Sequence, residues 1–434
     1  MKLKLFLLAL GLCLCRPATA GPFEAKPNDP YFQDFRPVPA PKPKGPILQK
    51  NSRLAICGDS ITEQKMYSRI METYLTVALP ELGVTARQFG WSGEQASGFL
   101  ARMTNDVLRF APTVATTCYG MNDHHYRPYE ESIGMAYASN MTDIVLAFQS
   151  AGAKVIIGSP GCMGFKLPPW PGVTGTPKER NLSLCVLRNI DIEIASLTQA
   201  GFADVFWPMY TAQFQARQQW GAQYSLSGKD SVHPGWAGHL VMAYAFLKAL
   251  DLPGDIGTFN VDLKSGQCVV SAGHRLISSA NGTIKIESSR YPFCAMDSID
   301  NDDSIRSGMA LVPFNQDLNR LILIARNGKA KRYKVTWGDV TREYTGKQLK
   351  QGVNLAEDFP VNPFCDAFKD VDEAVSTKQI YETKQIKELF HGSPGKTDME
   401  KTVIDSELVR AALVDAIKSA CVPVTHTITI KPVI

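Results

Sequence analysis

Apolar and polar positions follow two rhythms along this chain, and the change between them divides it. In the first half, short apolar or β-branched runs (Leu54 to Cys57, Thr85 to Gly90, Thr113 to Cys118, Lys154 to Gly158, Ala203 to Trp207) alternate with longer stretches of helical character. Those stretches are Lys65 to Leu79, Ala101 to Phe110, Ser139 to Ala151, Asn181 to Ala200 and His239 to Ala249. Gly152 and Gly201 stand where a helix ends in a left-handed turn, and Pro112 follows another helix end. Strands that alternate with helices predict a parallel sheet with helices on both faces. In such a sheet the working residues lie at the carboxyl ends of the strands. Gly58, Gly120 and Pro160 lie at or just after predicted strand ends, so their loops are expected to converge on one edge.

From about Gly257 the helical stretches stop. Asn260 to Leu263, Gln267 to Val270, Thr283 to Glu287, Arg320 to Ala325 and Tyr333 to Trp337 read as short strands separated by Gly, Asn and Asp. Beyond them, Asp366 to Leu389 and Met399 to Ser419 read as polar helices, and Thr425 to Lys431 alternates like a terminal strand. The predicted organisation is an α/β unit over 51–256, a β-rich domain over 257–345, and a helical C-terminal extension with a terminal strand over 346–434. The fold class expected is a three-layer α/β arrangement, a parallel sheet flanked by helices, followed by the β-rich and helical segments.

The N-terminus adds a destination. Lys2 and Lys4 precede an apolar run from Leu5 to Cys15, and Ala18-Thr19-Ala20 follows. A basic start, apolar middle and small-residue exit predict a secretory signal over 1–20, cleaved after Ala20, and a secreted or periplasmic protein. The run is too short to span a bilayer, which takes roughly 20 apolar residues, and no membrane insertion is expected. Residues 21–50, with Pro37, Pro39, Pro41, Pro43 and Pro46, read as an extended Pro/Lys-rich linker wrapping the surface.

Composition narrows the function classes. With 434 residues, 44% hydrophobic and 20% charged, the chain is an ordinary globular one, long enough for more than one domain. A net charge of +4 without a dense basic block gives no reason to expect a nucleic-acid partner. Eight of the ten cysteines lie beyond the signal. Cys57 and Cys118 fall in apolar strands and are expected as buried thiols. For an exported chain, Cys162 with Cys185, Cys268 with Cys294 and Cys365 with Cys421 are the expected pairs. No close cysteine pair has zinc-ligand spacing, and neither a metal nor a cofactor is expected.

Four separated stretches carry the chemistry. Gly58-Asp59-Ser60 ends the first strand and opens a helix, a turn that lifts a serine hydroxyl out of a sheet edge. Read alone, Ser60 is a helix N-cap. Gly93, in Gly90-Trp91-Ser92-Gly93-Glu94 after the second strand, lets a backbone N–H approach a ligand unobstructed. Asn122, in Gly120-Met121-Asn122-Asp123 after the third strand, brings an amide that can face a developing oxyanion; read alone it is a turn residue. In Asp230-Ser231-Val232-His233 a carboxylate three residues before a histidine can hold one ring nitrogen, leaving the other for a serine proton. Asp59 and Asp123 read as acceptors for turn N–H groups. Trp91, His124 and His125 lie in the same edge loops as candidate substrate contacts, as do Tyr119, Trp170 and Trp236.

The order Ser, Gly, Asn, then Asp-x-x-His resembles the SGNH hydrolases, the GDSL esterase/lipase family, over about residues 52 to 250. The resemblance implies an SGNH/flavodoxin-like sheet and a serine hydrolase acting on esters. It further implies Ser60 as nucleophile, His233 as base, Asp230 as its orienting partner, and an oxyanion hole of the Ser60 and Gly93 N–H groups with the Asn122 side chain. The exported location and edge aromatics favour a small acyl group, such as acetyl, on a carbohydrate. A lipase, thioesterase or acyltransferase on the same triad, and a non-catalytic carbohydrate- or surface-binding protein, are the alternatives.

Overall fold

A computed structural model describes residues 23–433. The predicted signal segment and its cleavage point lie outside those residues. The α/β unit runs β1 (Arg53–Gly58), α1 (Ser60–Glu63), α2 (Tyr67–Ala78), β2 (Thr85–Gln88), α3 (Ala96–Asp106), β3 (Val114–Cys118), α4 (Glu131–Ser150), β4 (Lys154–Gly158), α5 (Pro177–Thr198), β5 (Gly201–Ala203), α6 (Phe206–Trp220) and α7 (Trp236–Ala249). The five strands pair in parallel in the order β2-β1-β3-β4-β5. That is the doubly wound, flavodoxin-like order, and its switch point lies between β1 and β3. Fully buried strand positions such as Ile56, Ala115 and Ile157 explain why the strands read as continuous apolar runs.

The expected fifth strand, Ala203 to Trp207, is corrected: the strand is Gly201–Ala203, and α6 begins at Phe206. Ser159 Oγ accepts from the N–H groups of Val205 and Phe206 at 3.0 and 2.9 Å. A hydroxyl from the end of β4 thus supplies the helix cap, and no local pattern records it. Within the 23–50 segment, Phe32 and Phe35 enter the core against Trp207 and Tyr210.

The second half opens with β6 (Asp255–Asp262), β7 (Cys268–Val270), β8 (His274–Ala280), β9 (Thr283–Ser288), α8 (Ile305–Leu311), α9 (Phe314–Asp317), β10 (Arg320–Arg326), β11 (Arg332–Trp337) and β12 (Val340–Thr345). It closes with α10 (Gly346–Gln351), β13 (Val353–Asn354), α11 (Leu355–Asp358), α12 (Cys365–Lys384), α13 (Ser393–Thr397), α14 (Met399–Ala420) and β14 (Val424–Pro432). Two sheets form, β13-β10-β6-β7 and β12-β11-β14-β9-β8. The terminal strand therefore sits in the middle of the β-rich unit and does not close the helical extension as expected. Its His426 is buried; Trp337 Nε1 donates to His426 Nδ1 at 3.1 Å, and Ser288 Oγ lies 2.9 Å from Nε2. Phe259 of the facing sheet packs on the same imidazole.

The helices α12 and α14 form an arm that covers the free edge of β2. Lys378 Nζ and Arg410 Nη2 both donate to the Ala86 carbonyl at 2.8 Å, and Glu382 accepts from the Gln88 N–H at 3.0 Å. An exposed edge strand is a template for unwanted pairing, and here charged side chains satisfy it. The expected cysteine pairs are likewise corrected. All eight described cysteines are free thiols. Cys294 instead meets Cys365, each also touching Asn362.

Candidate active site

The end of β1 and the short α1 present Ser60. Asp59 caps α1, accepting from the Ile61 N–H at 2.9 Å. A side chain on Gly58 would strike Thr62 Oγ1 and the Cys118 carbonyl, so the sharp turn requires glycine there. Ser60 opens a helix, where the first N–H groups have no intrahelical acceptor; Asp59 takes that of Ile61.

Ser60 Oγ lies 2.8 Å from His233 Nε2. His233 Nδ1 lies 2.7 Å from Asp230 Oδ2, and Asp230 Oδ1 accepts the N–H groups of Val232 and His233, both at 2.9 Å. The carboxylate therefore fixes the tautomer, with the proton on Nδ1 and the Nε2 lone pair facing the serine. The bond to Asp230 raises the His233 pKa above its ordinary value, outweighing partial burial. Partial burial pushes the Asp230 carboxyl up, but His233 and the two backbone donors prevail and hold it below the ordinary carboxylate value.

The loop that carries Gly93 is tied to the end of β1, where the Trp91 N–H donates to the Gly58 carbonyl at 3.0 Å. Gly93 is exposed with φ +74°, a conformation that side-chain-bearing residues rarely adopt, and nothing lies within 4 Å of where a Cβ would stand. Its neighbour Glu94 is locked by Arg102, whose Nε and Nη2 donate to the two carboxylate oxygens at 2.6 and 2.7 Å. Asn122 Nδ2 donates to the Glu94 carbonyl at 3.0 Å, and Asn122 Oδ1 accepts from the Tyr126 hydroxyl at 3.2 Å. One amide N–H is thereby spent on orientation and the second is left over. Asp123 accepts from the Ala96 and Gly120 N–H groups, both at 2.9 Å. Burial raises the carboxyls of Asp59 and Asp123 to about 7 and about 6. Both serve loop geometry, as read from the sequence.

The candidate contacts separate. His124 is fully buried, and burial lowers it to about 4; its Nδ1 bonds the Met121 carbonyl and its ring packs on Tyr126. It offers no surface to a substrate, which corrects the expectation. His125 is exposed, and Gln95 Nε2 lies 3.3 Å from its Nδ1. Trp91 is half-buried against His391. Tyr119 is buried, with its hydroxyl on Glu94. Trp170 lies 6.4 Å from the His233 ring and meets Tyr126 edge-on at 5.4 Å. Sequence reasoning missed Tyr126 as the residue that orients Asn122; its i+4 spacing from Asn122 was the available signal. His239 is buried in α7 and takes no part, accepting from the Tyr67 N–H. Among the described residues no cluster of His, Cys, Asp or Glu has metal-holding geometry.

A serine, an imidazole and a carboxylate hydrogen-bonded in series at the switch point of a flavodoxin-like sheet have the geometry of an ester-hydrolysing serine hydrolase. Residues 56–241 match the model of the GDSL-like lipase/acylhydrolase family. A curated relative is the acetylxylan esterase of Geobacillus stearothermophilus, 27% identical over 188 residues, which span 41% of this chain and 76% of that protein. Among solved structures, the gut microbial diltiazem-metabolizing enzyme BT4096 aligns over 90% of this chain and 100% of its own, with a TM-score of 0.71 and 19% identity. Its fold thus extends over the β-rich unit and the arm as well. Axe2, an acetylxylan esterase from Geobacillus stearothermophilus, aligns over 48% of this chain and 97% of its own, with a TM-score of 0.39 and 22% identity.

Proposed function

We propose that this protein is an exported serine esterase that removes small acyl groups, acetyl foremost, from a carbohydrate, with Ser60, His233 and Asp230 as its catalytic triad. The observation that carries the reading is the unbroken hydrogen-bonded chain from Asp230 through His233 to the Ser60 hydroxyl. As Ser60 Oγ attacks the ester carbonyl, His233 Nε2 takes its proton, and Asp230 stabilises the imidazolium. The carbonyl oxygen becomes an oxyanion facing the Ser60 and Gly93 N–H groups and the spare Asn122 N–H. The collapse of this intermediate expels the alcohol, which takes the proton from His233. Water then repeats the sequence on the acyl-serine, releasing the acid and restoring Ser60.

The acyl acceptor is read from three supports. The curated relative is an acetylxylan esterase. Trp170 lies beside His233 with Tyr126 edge-on to it, which supplies an aromatic face for a sugar ring. The basic-apolar-small pattern of residues 1–20 supports export.

Acetate release from acetylated xylo-oligosaccharides, set against hydrolysis of long-chain acyl esters, tests the substrate. The reading predicts turnover of the acetyl sugars in the wild type, little on long chains and none with Ser60→Ala; preference for the long chains would contradict it. The intact mass of protein recovered outside the producing cell tests export, with a mature N-terminus at Gly21 expected.

A further inference from the structure

The C-terminal arm lies outside the family match, yet it reaches the loop that carries Gly93. Past α12 the chain widens into one π-helical segment, Gln385–Phe390, in which the His391 N–H bonds the Ile386 carbonyl at 3.1 Å. Such wide turns recur at functional sites. This one aims Lys387 at Glu63, the last residue of α1, with Nζ 2.7 Å from Oε1. The other carboxylate oxygen of Glu63 accepts the N–H of Ser92, immediately before Gly93. Lys387 Nζ also lies 5.1 Å from the centre of the Trp91 ring, and the His391 ring meets that indole edge-on at 5.0 Å. His391 Nε2 in turn lies 2.8 Å from Asp106 Oδ2.

We infer that Lys387 is a positioning residue, which through Glu63 and Ser92 holds the Gly93 N–H where the oxyanion forms. The inference rests on the reading of Gly93 as part of the oxyanion hole. Ser92 and Gly93 are exposed, and the loop's own backbone bonds reach only its ends, from Trp91 N–H to Gly58 and from Glu94 N–H to Trp91. Glu63 supplies the hold in between. Partial burial pushes the Glu63 carboxyl up, while Lys387 and Ser92 keep it below its ordinary value and therefore charged. Lys65 does not substitute for Lys387, because its ammonium donates to the Glu63 backbone carbonyl. The arm itself is docked elsewhere, by Lys378, Arg410 and the Arg69–Asp372 pair, so removing Lys387 leaves it seated.

Steady-state kinetics on p-nitrophenyl acetate, with thermal melting of each variant, tests this. Lys387→Met is expected to lower kcat about 10-fold, within the loss that a misplaced reacting group causes, with KM changed less than about threefold. Its melting transition should stay within a few degrees of wild type. Lys387→Arg should restore kcat to within about threefold, because the guanidinium keeps the ion pair. Lys387→Met combined with Glu63→Ala should be no slower than the slower single variant, because both break one chain of contacts. Unchanged kcat in Lys387→Met, failure of Lys387→Arg to rescue, or additive losses in the double variant would overturn the inference. Turnover surviving in Ser60→Ala would instead remove the nucleophile reading, so the two failures are told apart.

Discussion

The side chain of Asn122 donates to the backbone carbonyl of Glu94 at 3.0 Å, tying the loop after β3 to the loop after β2. The two loops are thus one hydrogen-bonded unit. Asn122→Ala removes a donor and this tie together. Its kcat on an acetyl ester should fall about 100- to 1,000-fold, or about 3–4 kcal/mol of barrier, with KM nearly unchanged. Steady-state kinetics on folded protein checks the split.

The pH profile follows from the bond between His233 and Asp230. In the proposed reaction His233 must be neutral to take the serine proton, and Asp230 raises its pKa. The acidic limb of kcat/KM should therefore turn at a pH above the ordinary histidine value of about 6.5. Asp230→Asn should move that limb down and lower kcat by about 10⁴-fold, through loss of the correct tautomer. The same shift acts on stability. Its contribution is full below the unfolded-state pKa of the histidine and is lost as pH rises through the folded-state value. Rate profiles and urea midpoints from pH 5 to 9 read both effects.

Lys378 is fully buried between Glu72 and Glu382, with Nζ 3.1 Å and 2.6 Å from their carboxylates and also on the Ala86 carbonyl. Lys378→Met leaves the buried Glu72 without its cation, and leaves Glu382 and the Ala86 carbonyl to Arg410 alone. A destabilisation of about 3–5 kcal/mol is expected, the cost of breaking a buried pair from one side. Urea unfolding at pH 7 measures it.

The thiols report on the site where Cys294 meets Cys365. Hydrogen bonding to Cys294 lowers the Cys365 pKa, and Cys365 is partly exposed. Burial raises the thiol pKa values of Cys57, Cys118, Cys162 and Cys185. Iodoacetamide at neutral pH should therefore alkylate Cys365 first, as peptide mass spectrometry of the native protein would show.

The candidate site was legible in the sequence because its parts are local. Gly58-Asp59-Ser60 is one turn, Asp230 and His233 share one loop, and Gly93 and Asn122 each follow a strand whose apolar run is plain. What was hidden depends on distant partners. The start of α6 is set by Ser159, 47 residues before Phe206. The contact of Lys387 with Glu63 spans 324 residues, and the polar face of α12 gives no sign that it is turned toward β2. The alternation in β14 was readable as a strand, but its neighbours β9 and β11 are chosen by the packing of His426 against Trp337 and Phe259. His124 and His125 are adjacent and polar alike; only the fold buries one and exposes the other.

In the proposed reaction the attacking atom is Ser60 Oγ. Incubating the protein with a fluorophosphonate and mapping the adduct by mass spectrometry tests it most directly. One phosphonyl group per chain is expected, on Ser60, with esterase activity falling in step and no adduct in Ser60→Ala. An adduct on another residue that abolishes activity, or full turnover by Ser60→Ala, would contradict it.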